Sequence, residues 1–271
     1  MKKFWLYIIV LMLTACEKQV DWPLQADDTS KVVIDGMITN EIKSHSVRLF
    51  RTVSHINMAP QAISGAAVII SDADSSWFLA EDIANPGVYR TKNNFFARPG
   101  QKYSLLVSAD GTVYTAKTQM VPNTSFTSLH YAKNSGDHLY RITWVANAYN
   151  AAHPAMYEIL LDWSHLPAYS SLDSASCTAR LFYYSLPTID VSQVFAPEME
   201  KVNFPRGTKI IEKKYSLNSE YAEFIRALIS ETNWKGGLFD SAPANVPTNL
   251  SAGAIGFFAA CNVIADTIVV Q

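Results

Sequence analysis

Tyr103-Ser104-Leu105-Leu106-Val107-Ser108-Ala109-Asp110-Gly111-Thr112-Val113-Tyr114 decides the fold. Tyr103, Leu105 and Val107 share one face of a period-two pattern, the mark of a half-buried strand. Asp110-Gly111 then supplies a tight hairpin turn before Val113-Tyr114 resumes the run. The same alternation recurs on the N-terminal side. Val32, Ile34 and Ile38 share a face, Val47 and Leu49 flank Arg48, and Ala66, Val68 and Ile70 alternate. Asn85-Pro86-Gly87 and Arg98-Pro99-Gly100-Gln101 punctuate these runs, the second with Pro and Gly in type II turn order. Short strands with frequent turns predict a sandwich over residues 31–121, with Met120-Val121-Pro122 as its exit.

The C-terminal half, residues 122–271, is also β-rich. Tyr140, Ile142 and Trp144 line one strand, and Tyr157, Ile159, Leu161 and Trp163 another. Leu181-Phe182-Tyr183-Tyr184 is apolar on both faces, which fits a central or covered strand. Tyr221, Phe224, Ile225, Leu228 and Ile229 break the pattern with a helical stripe. That stripe predicts an amphipathic helix near 220–233, capped by Asn218 or Ser219, with Glu220 and Glu223 at its positive end. Trp234-Lys235-Gly236-Gly237 stops it. Two further strands are expected at 254–260 and 265–270. The fold class is therefore all-β, with two β-sandwich-like domains and one helix in the second.

Residues 1–15 read as a signal peptide, with Lys2 and Lys3 ahead of the apolar run Phe4 to Met12. The run is shorter than the ~20 apolar residues of a spanning helix. Leu13-Thr14-Ala15-Cys16 places the cut before a cysteine. Cys16 is accordingly the expected lipidation site, and 16–30 a lipidated cysteine with a polar tether. Fourteen tether residues reach roughly 45–50 Å when extended. Of the other cysteines, Cys177 and Cys261 are a candidate disulfide in an oxidising envelope. The competing reading is two buried small hydrophobes.

Charged residues make up 17% of the 271-residue chain and hydrophobic residues 49%, with a net charge of −2. No basic stripe suits nucleic acid. The low charge content, well under the ~25% of an average domain, points to a large core or a covered surface.

Val32 to Thr39, Val47-Arg48-Leu49, Ile63 to Ile70, Pro86 to Thr91, Pro99 to Tyr103 and Asp110 to Ala116 form an ordered series. It continues with Pro243 to Leu250 and Gly253 to Phe258. The series resembles the Bacteroidota lipoproteins grouped as domain of unknown function 4249, over nearly the whole mature chain. The resemblance implies an outer-membrane lipoprotein found alongside TonB-dependent receptors, with a transthyretin- or immunoglobulin-like N-terminal sandwich. It carries over no catalytic residues. Glu17 is followed by Lys18, Gln19 and Val20, a weak match to the acidic cluster of surface-exported lipoproteins. Both faces of the outer membrane stay open.

Motifs for chemistry are absent from the string. The histidines at 45, 55, 130, 138, 153 and 165 lack zinc-site spacing, and no Gly-x-Ser-x-Gly elbow occurs. Asp72-Ala73-Asp74-Ser75 lacks the glycine and glutamate of a calcium loop and reads as a hairpin turn. Gly253-x-x-Gly256 lacks the lysine of a phosphate loop and reads as a bulge or close strand contact. No metal or cofactor is expected. Phe182, Tyr183, Tyr184, Phe195 and Phe204 crowd one stretch and are the candidate partner-binding residues. The competing reading, core plus a covering loop, is favoured. The expectation is a non-enzymatic lipoprotein, anchored in the bilayer through acylated Cys16, serving as accessory subunit of a TonB-dependent barrel. The alternatives are a free-standing binding module or adhesin for glycan or protein, and a hydrolase with a dispersed site.

Overall fold

The computed structural model describes residues 30–53, 58–146, 150–186, 202–232 and 246–271. The signal peptide, Cys16, Phe195 and the helix stop at Trp234 lie outside these residues.

The deciding hairpin forms as read. Strands β6 (Lys102–Ala109) and β7 (Thr112–Gln119) pair from Lys102↔Gln119 to Ala109↔Thr112. Asp110 and Gly111 both take positive φ, 51° and 76°, as a type I′ turn requires. β1 (Val32–Thr39), β2 (Ser46–Arg51), β3 (Ala67–Ser71), β4 (Ser76–Glu81) and β5 (Val88–Arg90) precede it. The second half supplies β8 (His130–Lys133), β9 (Tyr140–Trp144), β10 (Ala155–Asp162), β11 (Thr178–Ser185) and β12 (Lys209–Ser216). Helix α1 (Ser219–Thr232), β13 (Ala254–Cys261) and β14 (Val263–Val269) complete the order. The chain is all-β with one described α-helix.

The first sheet has eight strands in the order β13-β1-β2-β5-β4-β3-β6-β7. Its core holds the alternating residues of the sequence pattern. Ile34, Ile38, Leu49, Ile70, Tyr103 and Leu105 are at most 2% exposed. Each such side chain contributes about 1.5–3 kcal/mol relative to leaving it in water.

One strand crosses the expected boundary at residue 121. β13 comes from the C-terminal half and runs parallel to β1, from Val32↔Ala254 to Thr39↔Cys261. The physical reason is that β1 has two edges and β2 covers only one of them. Gly256 makes the pairing close: a Cβ there would lie 2.2 Å from the carbonyl oxygen of Ile34. The two outer strands of the sheet are then stapled together. Asn249 donates from Nδ2 to the carbonyls of Lys117 on β7 (2.9 Å) and Phe258 on β13 (2.8 Å). Its Oδ1 accepts the Phe258 N–H at 3.0 Å. Leu250 forms a bridge with Ala116.

The second sheet has the order β11-β10-β12-β14, antiparallel throughout. It packs over the β8–β9 pair around Tyr157, Ile159, Leu161, Leu181, Phe204 and Ile210. β11, read from sequence as central or covered, stands at the end of this sheet among the described residues.

A third core joins the two units. The α1 stripe Tyr221, Ala222, Phe224, Ile225 and Ile229 packs with Phe257, Ala259 and Cys261 of β13 and with Met156 and Tyr215 of the second sheet. Phe257 lies 5.0 Å from the Tyr221 ring and 4.9 Å from that of Phe224. Asn218 caps the helix by accepting the Tyr221 N–H at 2.8 Å. The helix therefore spans both units. A single residue, Asn262, separates β13 from β14, so the chain passes from one sheet directly into the other.

Candidate functional site

β11 distributes the aromatic stretch by strand alternation. Leu181 and Tyr183 turn into the second core. Arg180, Phe182 and Tyr184 turn to the opposite, outer face, where Phe182 is 42% and Tyr184 43% exposed. The register sets Met156, Glu158 and Leu160 of β10 beside them, and Tyr215, Lys213 and Ile211 of β12 beyond. Leu160 and Ile211 are half-buried, and Val269 on β14 extends the row in the open.

Charged groups are interleaved with these apolar side chains. The Arg180 guanidinium stacks 4.9 Å from the Phe182 ring centre and pairs with Glu158 at 2.6 Å. Glu158, itself buried, accepts the Tyr215 hydroxyl at 2.5 Å. Burial and then Glu158 push the Tyr215 hydroxyl far above its ordinary range, so it stays a donor. At the helix end of the face, Glu41 from the turn after β1 reaches Lys213 at 2.6 Å. Burial alone would raise the Glu41 carboxyl. Hydrogen bonds and charge from Lys213 and Lys43 outweigh it and hold the pKa at about 2.

The structure overturns expectations for Tyr183, which faces the second core, for Phe204 and for the cysteines. Phe204 is no surface residue: it is fully buried and exchanges backbone hydrogen bonds with Tyr140 at 2.8 and 3.0 Å, closing the second core. Its closeness to Phe182 along the chain does not carry over to one face. The Cys177–Cys261 disulfide is also absent; both are free, buried thiols. Cys177 sits in the second core under the turn Ser174–Cys177, and Cys261 in the third core beneath α1. Burial pushes the Cys261 thiol far above its ordinary range.

The remaining polar candidates have structural roles. The Asp72 carboxylate accepts the N–H groups of Asp74 (2.9 Å) and Ser75 (2.8 Å), which makes the segment a turn. His45 is buried against Phe95, bonds Thr39 at 2.9 Å, and is pushed down to about 4 chiefly by burial. His130 lies over Trp144, and His165 reaches the carbonyl of Gly207. Among the described residues no three His, Cys, Asp or Glu side chains are grouped to hold a metal. No described helix is long and apolar enough to cross a membrane.

Two clefts flank the start of α1, of about 650 and 540 Å³. The first has largely apolar walls from Val121, Pro122, Pro154, Leu217 and Ala222. The polar side chains of Asn123 and Asn218 at its edge are engaged in holding the junction.

Sequence reasoning passed over Arg180, Glu158 and Tyr215. The available signal was Glu158, a lone charge inside the apolar run Met156 to Leu161. No curated protein matches this sequence. A family model described as Domain of unknown function (DUF4249) does match, over residues 17–266, and the chain belongs to that family.

Proposed function

We propose that the protein is a non-enzymatic lipoprotein of the outer membrane, held by an acylated Cys16, that works as the accessory subunit of a TonB-dependent barrel. The observation that carries this reading is the outer face of the second sheet. Phe182 and Tyr184 on β11 and Leu160, Ile211 and Val269 across the sheet are partly open apolar side chains on one face, with the Arg180–Glu158 pair set between the aromatic and the aliphatic groups. Aromatic and Arg side chains of this kind anchor protein interfaces. The tether expected at 16–30 supports it as well, since it lets the body stand clear of the lipid and meet a neighbouring protein.

The test is capture of the full-length protein through a C-terminal tag in mild detergent, followed by mass spectrometry. A stoichiometric TonB-dependent barrel is expected with the wild type. The Phe182→Ala/Tyr184→Ala variant should lose the barrel while remaining in the membrane fraction. Recovery of the wild-type protein alone would refute the accessory role and favour a free-standing binding module.

A further inference from the structure

Between the two sandwiches the chain runs from Val121 to Leu129 as an irregular strap across the inner face of β12 and β14. It is pinned at successive points. Asn123 donates to the carbonyls of Lys214 and Asn262, both at 2.8 Å. The Lys214 ammonium donates to the Thr124 hydroxyl (2.8 Å) and carbonyl (3.1 Å). The Phe126 ring meets Tyr157 edge-on. The Ser128 hydroxyl donates to Asp266, and the Leu129 N–H to Glu212 Oε2 at 2.8 Å. β8 starts at the next residue, His130.

The last pin differs from the others. Glu212 is fully buried, and its Oε1 has no hydrogen-bond partner among the described residues. Its titratable neighbours are Tyr157 on β10, Lys214 on β12 and Asp266 on β14, while the strap offers the Ser128 hydroxyl and the Leu129 N–H. The Lys214 ammonium is turned away to Thr124. An ionised Glu212 would therefore sit beside a second carboxylate with a single N–H donor. A buried charge so poorly matched costs several kcal/mol.

We propose that Glu212 is a proton-operated catch on the strap: with its proton it keeps Leu129 and the start of β8 against β12, and on losing the proton to solvent it releases them and uncovers the second core. The catch works in an accessible range. Burial raises the carboxyl, the Leu129 N–H opposes this, Asp266 adds to it, and the balance lies at about 7. The Phe126, Leu129 and Tyr131 side chains that the strap and β8 lay over the core are what release would lift.

Hydrogen exchange of the full-length protein between about pH 5.5 and 8.5 tests this, with rates corrected for the intrinsic pH dependence of exchange. Protection across residues 124–133 should fall at least tenfold over that range, while the β6–β7 hairpin holds steady. Glu212→Gln should abolish the fall. Asp266→Asn, which removes the second carboxylate, should move its midpoint to lower pH. Constant protection in the wild type, or the same fall in Glu212→Gln, would overturn the proposal. If Glu212→Gln does not fold, an unshifted midpoint in Asp266→Asn overturns it instead.

Discussion

Gly256→Ala should break the joint between the N-terminal sheet and its C-terminal strand. Gly256 has φ +104°, and its added Cβ would stand 2.2 Å from the Ile34 carbonyl oxygen and 3.0 Å from the carbon behind it. Both are backbone atoms of the neighbouring strand, so no side chain can swing aside. Holding a non-glycine residue at such a φ costs roughly 1–3 kcal/mol. Relieving the clash requires β13 to part from β1 near the Ile34↔Gly256 pair. Losing two or three ladder hydrogen bonds adds about 1 kcal/mol each. The sum is about 3–6 kcal/mol, a large part of the 5–15 kcal/mol that holds a typical domain folded. For a chain of this size it lowers Tm on the order of 10–20 °C. Gly111→Ala is the control: φ is +76°, but nothing lies within 4 Å of the new Cβ. It should lose only the strain contribution, roughly 1–3 kcal/mol. Urea unfolding of the two variants, followed by tryptophan fluorescence, gives the comparison. Equal losses would show that close strand approach is not what selects glycine at 256, and the reasoning would fail.

Asn249→Ala removes three hydrogen bonds that join β7 to β13. It should destabilise the protein by about 2–3 kcal/mol and speed amide exchange along β7 and β13 while leaving β10 and β11 protected. Acid should act through Glu41. Its carboxyl is held at about 2 when folded, so its contribution is present above the ordinary carboxylate range near 4.5 and is lost as pH falls through about 2. Lys213→Met should flatten the acid limb of a stability-versus-pH curve, and an unchanged limb would remove Glu41 as its source.

The parts of the fold that depend on neighbours in sequence were legible. Asp110-Gly111 needs two positive φ angles in a row, and that pair of residues announces it. Alternation assigned Ile34, Leu49, Tyr103 and Leu105 to the core, and 3.6-residue spacing placed the start of α1 to within a residue. The place of β13 was not legible. Its partner β1 lies more than two hundred residues away, and the parallel pairing leaves no turn to read. Gly253-x-x-Gly256 offers a bulge or a close strand contact; Gly256 makes the close contact, with a partner that the sequence does not name. The aromatic stretch shows the same limit at short range. Alternation along β11 sends Tyr183, grouped in the sequence with Phe182 and Tyr184 as a partner-binding candidate, into the second core instead. It has no authority over Phe204, which enters the core on its own short bridge to Tyr140. The two cysteines fail as a pair for the same reason: each is set by its own core.

One strand carries both ends of the pH response. Glu212 and Lys213 are consecutive in β12 and so point to opposite faces of the second sheet. Lys213 reaches outward to Glu41 and ties the first sandwich to the second. Glu212 reaches inward to the strap that joins the same two units. Their signs oppose. Glu41, with its proton affinity lowered in the fold, loses its contribution as pH falls from near 4.5 through about 2. Glu212, with its affinity raised, has its full contribution below about 4.5 and loses it as pH rises through about 7. The two shifts are of similar size and each involves a single proton, so neither limb can change by more than about 1.4 kcal/mol per pH unit through its group. The connection between the sandwiches should therefore be tightest on the acid side of neutrality, where both contributions are present. Because the outer-face row of Leu160 and Ile211 flanks the same strand, a partner docked there would meet a sheet whose opposite face is loosened or fastened by a single proton.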